Sequence, residues 1–259
     1  MLDAMKKQNS SSRIALLAFA CCVVVVSTAS AERYGLVIGV GDYADSEILR
    51  LPSSRLDACR MATVFHDELG VDVERLTLLC DELATRDRIE TAIREELTEK
   101  MTDDDEVVIY FSGHLHRSKD KDVGLMPHDA TLCSTQNRIY RAQLHQWLEG
   151  VSGKVVLIID SCHAEGMGGD ELPSHVAVLA SCRAEELCWI TVKHGSSVYT
   201  HFLAKAIRDA ASKESPPVTL SKVHERAAVE VTRYVREKFQ TYQTPPVARH
   251  IALTVGPTR

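Results

Sequence analysis

Aromatic side chains are scarce in this sequence, at 5% of 259 residues, and basic charge is not in surplus, the formal net charge being −6. A chain short of both stacking groups and cations is a poor candidate for binding nucleic acid. No Cys-x-x-Cys pair occurs among its 8 cysteines, so the spacing indicates neither a zinc ribbon nor a dense disulfide scaffold. Internal repeats and long linkers are missing as well, which leaves a single domain as the better reading. What is present, 45% hydrophobic and 25% charged residues, is the composition of an ordinary packed globule.

Residues 1–31 read as an export leader. Lys6, Lys7 and Arg13 precede or flank the apolar run "IALLAFACCVVVV", and Ala29-Ser30-Ala31 is a small-x-small cleavage site. Cleavage there implies a periplasmic or secreted protein. The alternative is an uncleaved membrane anchor, since the apolar stretch is nearly long enough to span a bilayer, and only then is the membrane a partner. Without the leader's three basic residues and one acid (Asp3), the remaining charge is −8. Cys21 and Cys22 leave with it. Of the rest, Cys59, Cys80, Cys133, Cys182 and Cys188 read as buried, inert thiols.

From Arg33 onward, short apolar runs alternate with amphipathic stretches. "YGLVIGV" (34–40), "VERLTLL" (73–79), "VVIYF" (107–111), "KVVLIID" (154–160), "HVAVLAS" (175–181) and "ARHIALTV" (248–255) read as six strands. Between them lie helical patterns, of which "TRDRIETAIREELTEKM" is the clearest: Ile89, Ile93, Leu97 and Met101 recur every fourth residue behind Thr85 as N-cap. Strands that are apolar throughout, rather than alternating, are covered on both faces. The expected fold is therefore α/β: a three-layer sandwich with a six-stranded, mainly parallel sheet and helices on both faces, spanning 33–256. Such sheets bind ligands at the carboxyl ends of their strands.

Two of those ends carry reactive groups. "VVIYFSGHLH" places His114 just past one strand, and "VVLIIDSCHAEG" places Cys162 just past another. On neighbouring strands, a thiol and an imidazole would share one crevice, the pairing that nucleophilic thiol chemistry needs. Residues two apart on a strand share a face, so Ser112 goes with His114 and Asp160 with Cys162, while His163 turns away. Asp160 is too short and too near the strand to act as a base, and it suits the binding of a cationic group. Cys162-His163 as half of a metal site lacks further ligands at usual spacing.

The pair "YFSGH" and "DSCHAEG", 48 residues from His to Cys, resembles the motifs of the caspase-like cysteine peptidases, clan CD, in their metacaspase and orthocaspase branch. "YGLVIGVGDY", "LPSSRLDACRMA" and "VAVLASCRAEELCW…GSSVYTHFLAKAI" extend the resemblance across 34–255. The resemblance implies a cysteine endopeptidase with Cys162 as nucleophile and His114 as general acid/base. The backbone N–H groups of Cys162 and Leu115 would hold the oxyanion. It also implies an S1 pocket built from Asp57, Asp160, Ser112 and Ser54, which binds Arg or Lys at P1 of a protein or peptide substrate. Asp57 has a second reading from its local sequence, as part of a capping-box-like Ser54-x-x-Asp57.

Three departures bear on that reading. Leu115 stands where the family has Gly, and it keeps open an alternative: a catalytically inactive homologue acting as a binding module in the cell envelope. The segment "NRIYRAQL" is basic where calcium-dependent relatives are acidic, and Asp129, Asp170 and Glu171 form no evident ligand set, so no cofactor or metal is expected. The thirteen residues between Cys162 and Val176 contain no Arg or Lys, which argues against self-cleavage there.

Overall fold

The computed structural model describes residues 31–191, 193–213, 217–248 and 251–256. The elements run in order: β1 (Arg33–Gly39), α1 (Pro52–Asp67), β2 (Leu76–Cys80), α2 (Arg86–Thr91) and α3 (Thr98–Lys100). There follow β3 (Glu106–Ser112), β4 (Leu115–Arg117), β5 (Val123–Leu125), β6 (Ile139–Tyr140), α4 (Arg141–Glu149) and β7 (Lys154–Asp160). The chain continues with β8 (Val176–Ala180), β9 (Ile190–Thr191), β10 (Ser196–Ser197), α5 (Val198–Lys213) and α6 (Leu220–Phe239). The helix expected over 85–101 is capped by Thr85 as its sequence implies, but a π-helical stretch, Ala92–Leu97, separates α2 from α3. The leader falls, but for Ala31, outside the described residues. Among the described residues no helix is long and apolar enough to cross a membrane.

β2, β1, β3, β7 and β8 form one parallel sheet in that order. Successive residues of each central strand feed opposite cores. Leu36, Ile109 and Leu157 pack beneath α2–α4 with Ile89, Ile93, Leu144, Trp147 and Leu148. Val37, Val108, Tyr110 and Ile158 pack against α1, α5 and α6 through Met61, Phe65, Tyr199, Leu203 and Val231. This double burial explains why the strands are apolar throughout.

Among the described residues the sheet has five strands, not the six expected. Instead of adding to an edge, residues 251–255 bond to the start of α6: Leu220 N–H donates to Leu253 O and Val255 N–H to Val218 O, both at 2.8 Å. Thr219 and Thr254 make a single bridge. Alternation of Leu253 and Val255 reads as a strand because both are buried, yet their burial comes from the helical layer.

α1 is held unusually close to β1. A Cβ at Gly39 would lie 2.4 Å from Ala58 Cβ and 2.7 Å from Ser54 O, so only glycine admits the helix there. That approach brings the first turns of α1, with Ser54 and Asp57, down onto the sheet's carboxyl edge.

Candidate active site

β3 and β7 are neighbours, with Ser112 in register with Asp160. His114 and Cys162 each lie two residues beyond that pair, so both issue side by side from the carboxyl edge. Ser161 Oγ donates to Gly113 O at 2.6 Å and ties the two turns together. The His114 backbone N–H donates to Tyr43 Oη at 2.8 Å, and the two rings sit 5.5 Å apart. The imidazole Nε2 lies 2.8 Å from Leu49 O. A carbonyl only accepts, so Nε2 carries the proton and Nδ1 is left as the basic nitrogen. Burial lowers the imidazole pKa, against the Leu49 carbonyl, which raises it.

Cys162 is half-buried, and its Sγ accepts a hydrogen bond from the Cys188 N–H at 3.4 Å. Burial pushes the thiol pKa up, with the Cys188 N–H pulling the other way. Both shifts favour the uncharged forms, a neutral thiol beside a neutral imidazole. Among the described residues no hydrogen bond joins His114 to Cys162: each has a backbone partner, Leu49 O for one and Cys188 N–H for the other. His163 takes a left-handed conformation (φ 63°) and its Nδ1–H donates to Ala184 O at 2.8 Å, turned from the nucleophile as expected.

Of the other cysteines, Cys182 is buried as expected, but the rest depart from that expectation. Cys59 and Cys133 are exposed and Cys80 is partly so. Cys182 and Cys188 lie beneath the nucleophile's turn, where their sulfurs approach Ser161 O at 3.3 and 2.9 Å.

The acidic residues converge on the α1/α5 side of the sheet. Asp57 is fully buried and Asp160 is 3% exposed. One residue, Ser197, serves both: its N–H donates to Asp57 Oδ2 at 2.7 Å and its Oγ to Asp160 Oδ1 at 2.9 Å. Asp57 Oδ1 also accepts from Ser196 Oγ and, at 2.8 Å, from Arg60 Nη1. Asp160 Oδ2 accepts from Thr200 Oγ1 at 2.5 Å and distantly from Tyr110 Oη at 3.5 Å. Burial, reinforced by the Asp160 charge, raises the Asp57 pKa to about 7 despite these donors. Burial raises that of Asp160 too, against the Thr200 and Ser197 hydroxyls. The capping reading of Asp57 fails: α1 begins at Pro52 behind Leu51, which makes no side-chain cap, and the Asp57 carboxylate is committed to β10. Ser112 and Ser54 are both buried nearby, at 3% and 4% exposure.

Leu115 turns out not to crowd the crevice. It opposes Leu125 in the β4–β5 ladder while Met126 N–H donates to His114 O, so 115/125 is a non-hydrogen-bonded pair. In such a pair the N–H points away from the neighbouring strand. The Leu115 side chain meanwhile packs against the core beneath α2–α4.

The acids that could have served calcium do not gather. Asp129 accepts the Arg86 N–H at 2.8 Å, which ties it to the start of α2. Among the described residues no three His, Cys, Asp or Glu side chains come together as a metal site.

Several site residues escaped the sequence reading. Tyr43 lies inside the quoted "GVGDY" and Ser196-Ser197 inside "GSSVYTHFLAKAI", both without an assigned role. Leu49 contributes a carbonyl, which no side-chain pattern reveals. Arg60 gave no signal beyond its spacing of three from Asp57. An apolar cleft of about 880 Å³ along α6, lined by Ala228, Val229 and Pro245 among others, shares none of its lining residues with this site.

The family model of the caspase domain, Peptidase_C14, matches residues 32–253. No curated protein matches the chain in sequence. Among solved structures it is similar to the protein GSU0716 from Geobacter sulfurreducens, at 13% identity over 88% of this chain and 94% of that one, with a TM-score of 0.59. It is equally similar to caspase-1 from Spodoptera frugiperda, at 12% identity over 89% and 88% of the two chains, TM-score 0.59.

Proposed function

This chain belongs to the caspase-domain family, and on that premise we propose that it is an endopeptidase of metacaspase or orthocaspase type that cuts after Arg or Lys. The observation that carries the specificity is the convergence of two buried carboxylates, Asp57 and Asp160, on Ser197 beside the strand ends of His114 and Cys162. A buried carboxylate without a full countercharge is costly, and a cationic P1 side chain supplies the missing charge.

Catalysis starts from the neutral pair. As Cys162 Sγ attacks the scissile carbonyl carbon, its proton passes to His114 Nδ1, the nitrogen that the Leu49 carbonyl leaves free. The carbonyl oxygen becomes an oxyanion, held by the N–H groups of Leu115 and Cys162. His114 then gives the proton to the leaving amine, and the C–N bond breaks to leave a thioester. Water, deprotonated by the same imidazole, attacks the thioester, releases the new carboxyl end and returns the thiol. The Ala29-Ser30-Ala31 site supports export with the leader removed, and sequencing the mature amino terminus checks it: Glu32 is expected first.

The test of the reaction is hydrolysis of fluorogenic peptides ending in Arg or Lys by the wild type, Cys162→Ala and His114→Ala. Release that both substitutions abolish is expected. Release that survives Cys162→Ala would rule out Cys162 as the nucleophile, and no release at all would overturn the peptidase reading in favour of a binding module.

A further inference from the structure

The S1 acids are not left empty-handed. Arg60, three residues beyond Asp57 on α1, sends Nη1 to Asp57 Oδ1 at 2.8 Å and to Ser196 Oγ at 2.6 Å. Ser196 Oγ itself donates to the same Asp57 oxygen. The guanidinium comes from the protein's edge, with its side chain 30% exposed, to a carboxylate that is wholly buried. Asp57 thus has its own cation, while the bonds to Asp160 come from the uncharged side chains of Ser197, Thr200 and Tyr110. With both acids ionised, two carboxylates and one guanidinium leave one negative charge uncompensated, at Asp160.

We propose that Arg60 is a specificity-determining residue: by holding Asp57, it leaves Asp160 as the single carboxylate facing a P1 cation. The inference rests on the basic-P1 reading above and refines it. A lysine ammonium is a compact point charge that one carboxylate satisfies, whereas a guanidinium gains most from a fork of two acceptor directions. With Asp57 free, the pocket would offer two carboxylates to a P1 fork and would favour Arg strongly. With Arg60 in place that second acceptor is taken by the protein's own guanidinium, and Lys competes on nearly equal terms. Arg60 in this view touches neither the scissile bond nor the dyad, so its influence falls on binding.

The experiment compares paired peptides that differ only in Arg or Lys at P1, for wild type, Arg60→Gln and Arg60→Lys. The wild-type Arg:Lys ratio of kcat/KM is expected within about threefold of one, and Arg60→Gln is expected to raise it by about tenfold, through a lower KM for the Arg peptide at little-changed kcat. Arg60→Lys keeps a cation on Asp57 and should hold the wild-type ratio. A merely structural role for Arg60 would move both peptides together. A ratio unchanged in Arg60→Gln, or a wild-type ratio already above about thirtyfold, overturns this inference alone; the wild-type measurement decides even where Arg60→Gln fails to fold. Absence of any Cys162-dependent cleavage after Arg or Lys overturns it together with the reading on which it rests.

Discussion

The two ends of the central sheet handle buried charge in opposite ways. At the amino end, Arg33 is 2% and Glu106 6% exposed, and they meet at 2.5 Å, with Lys154 adding a 3.1 Å contact. Arg33 also donates to Leu69 O and Gly256 O, and buried Asp105 accepts from the backbone of Glu32 and Thr102. Arg33 and Glu106 there answer each other's charge inside the protein, while Asp105 is held by neutral donors. At the carboxyl end one partly exposed guanidinium, Arg60, bonds Asp57, and among the described residues Asp160 has neutral donors only. The amino end is closed by its own residues. On the proposed reading, the carboxyl end is completed electrostatically by a cation that arrives from outside.

Breaking the closed end should give the largest effect. Glu106→Ala strands Arg33 without its acid and is expected to cost about 3–5 kcal/mol, read from denaturant unfolding, with the P1 preference unchanged. At the open end the effects should appear in turnover instead. Ser197→Ala removes the hydroxyl bonded to Asp160 but keeps the N–H on Asp57, and kcat/KM for basic peptides should fall roughly 10- to 100-fold. An unchanged value would mean that Ser197 is no shared platform for the two acids.

A smaller effect should follow pH. Asp57 has its pKa raised to about 7, so it is neutral below that value and ionised above it. Arg60 holds Asp57 from P1 in the wild type, so the pH effect should emerge in Arg60→Gln: there kcat/KM for Arg peptides should rise by up to about tenfold as pH rises from about 6 to 8, an increase that adding Asp57→Asn removes. Stability runs the other way. Because folding raises this pKa from 3.8, the contribution is full below about pH 4 and lost as pH rises through about 7. Melting temperature across that window, compared with Asp57→Asn, checks the sign. The smallest change is expected from Leu115→Gly. The Leu115 side chain packs into the core and its N–H already faces away from β5, so kcat should stay within about threefold while stability drops by the lost packing.

Much of this contrast was legible in the chain. Continuous apolar strands announced a sheet covered on both faces, and "SGH" and "DSC" at two strand ends announced a thiol and an imidazole on one edge. Asp160 stood out because an acid that closes a buried strand needs a partner. The rest depended on contacts with no linear signature. Leu49 acts through a carbonyl, Ser196 and Ser197 meet Asp57 across 139 and 140 residues, and Arg60 means little until Asp57 is known to turn inward. The sixth strand was miscounted because periodic burial of Leu253 and Val255 is the same whether a segment joins the sheet or lies against the helices.

The central claim is that the carboxyl end carries a surplus buried negative charge, on Asp160, that a basic P1 side chain completes. Its most direct measurement is kcat/KM for four peptides that differ only in Arg, Lys, Gln or Asp at P1, with wild type and Asp160→Asn assayed beside their melting temperatures. The account predicts cleavage confined to Arg and Lys, a loss of about 100- to 1000-fold in Asp160→Asn, and a melting temperature held or raised once the unpaired charge is gone. Preference for Asp at P1, or full activity on basic peptides in Asp160→Asn, would contradict it.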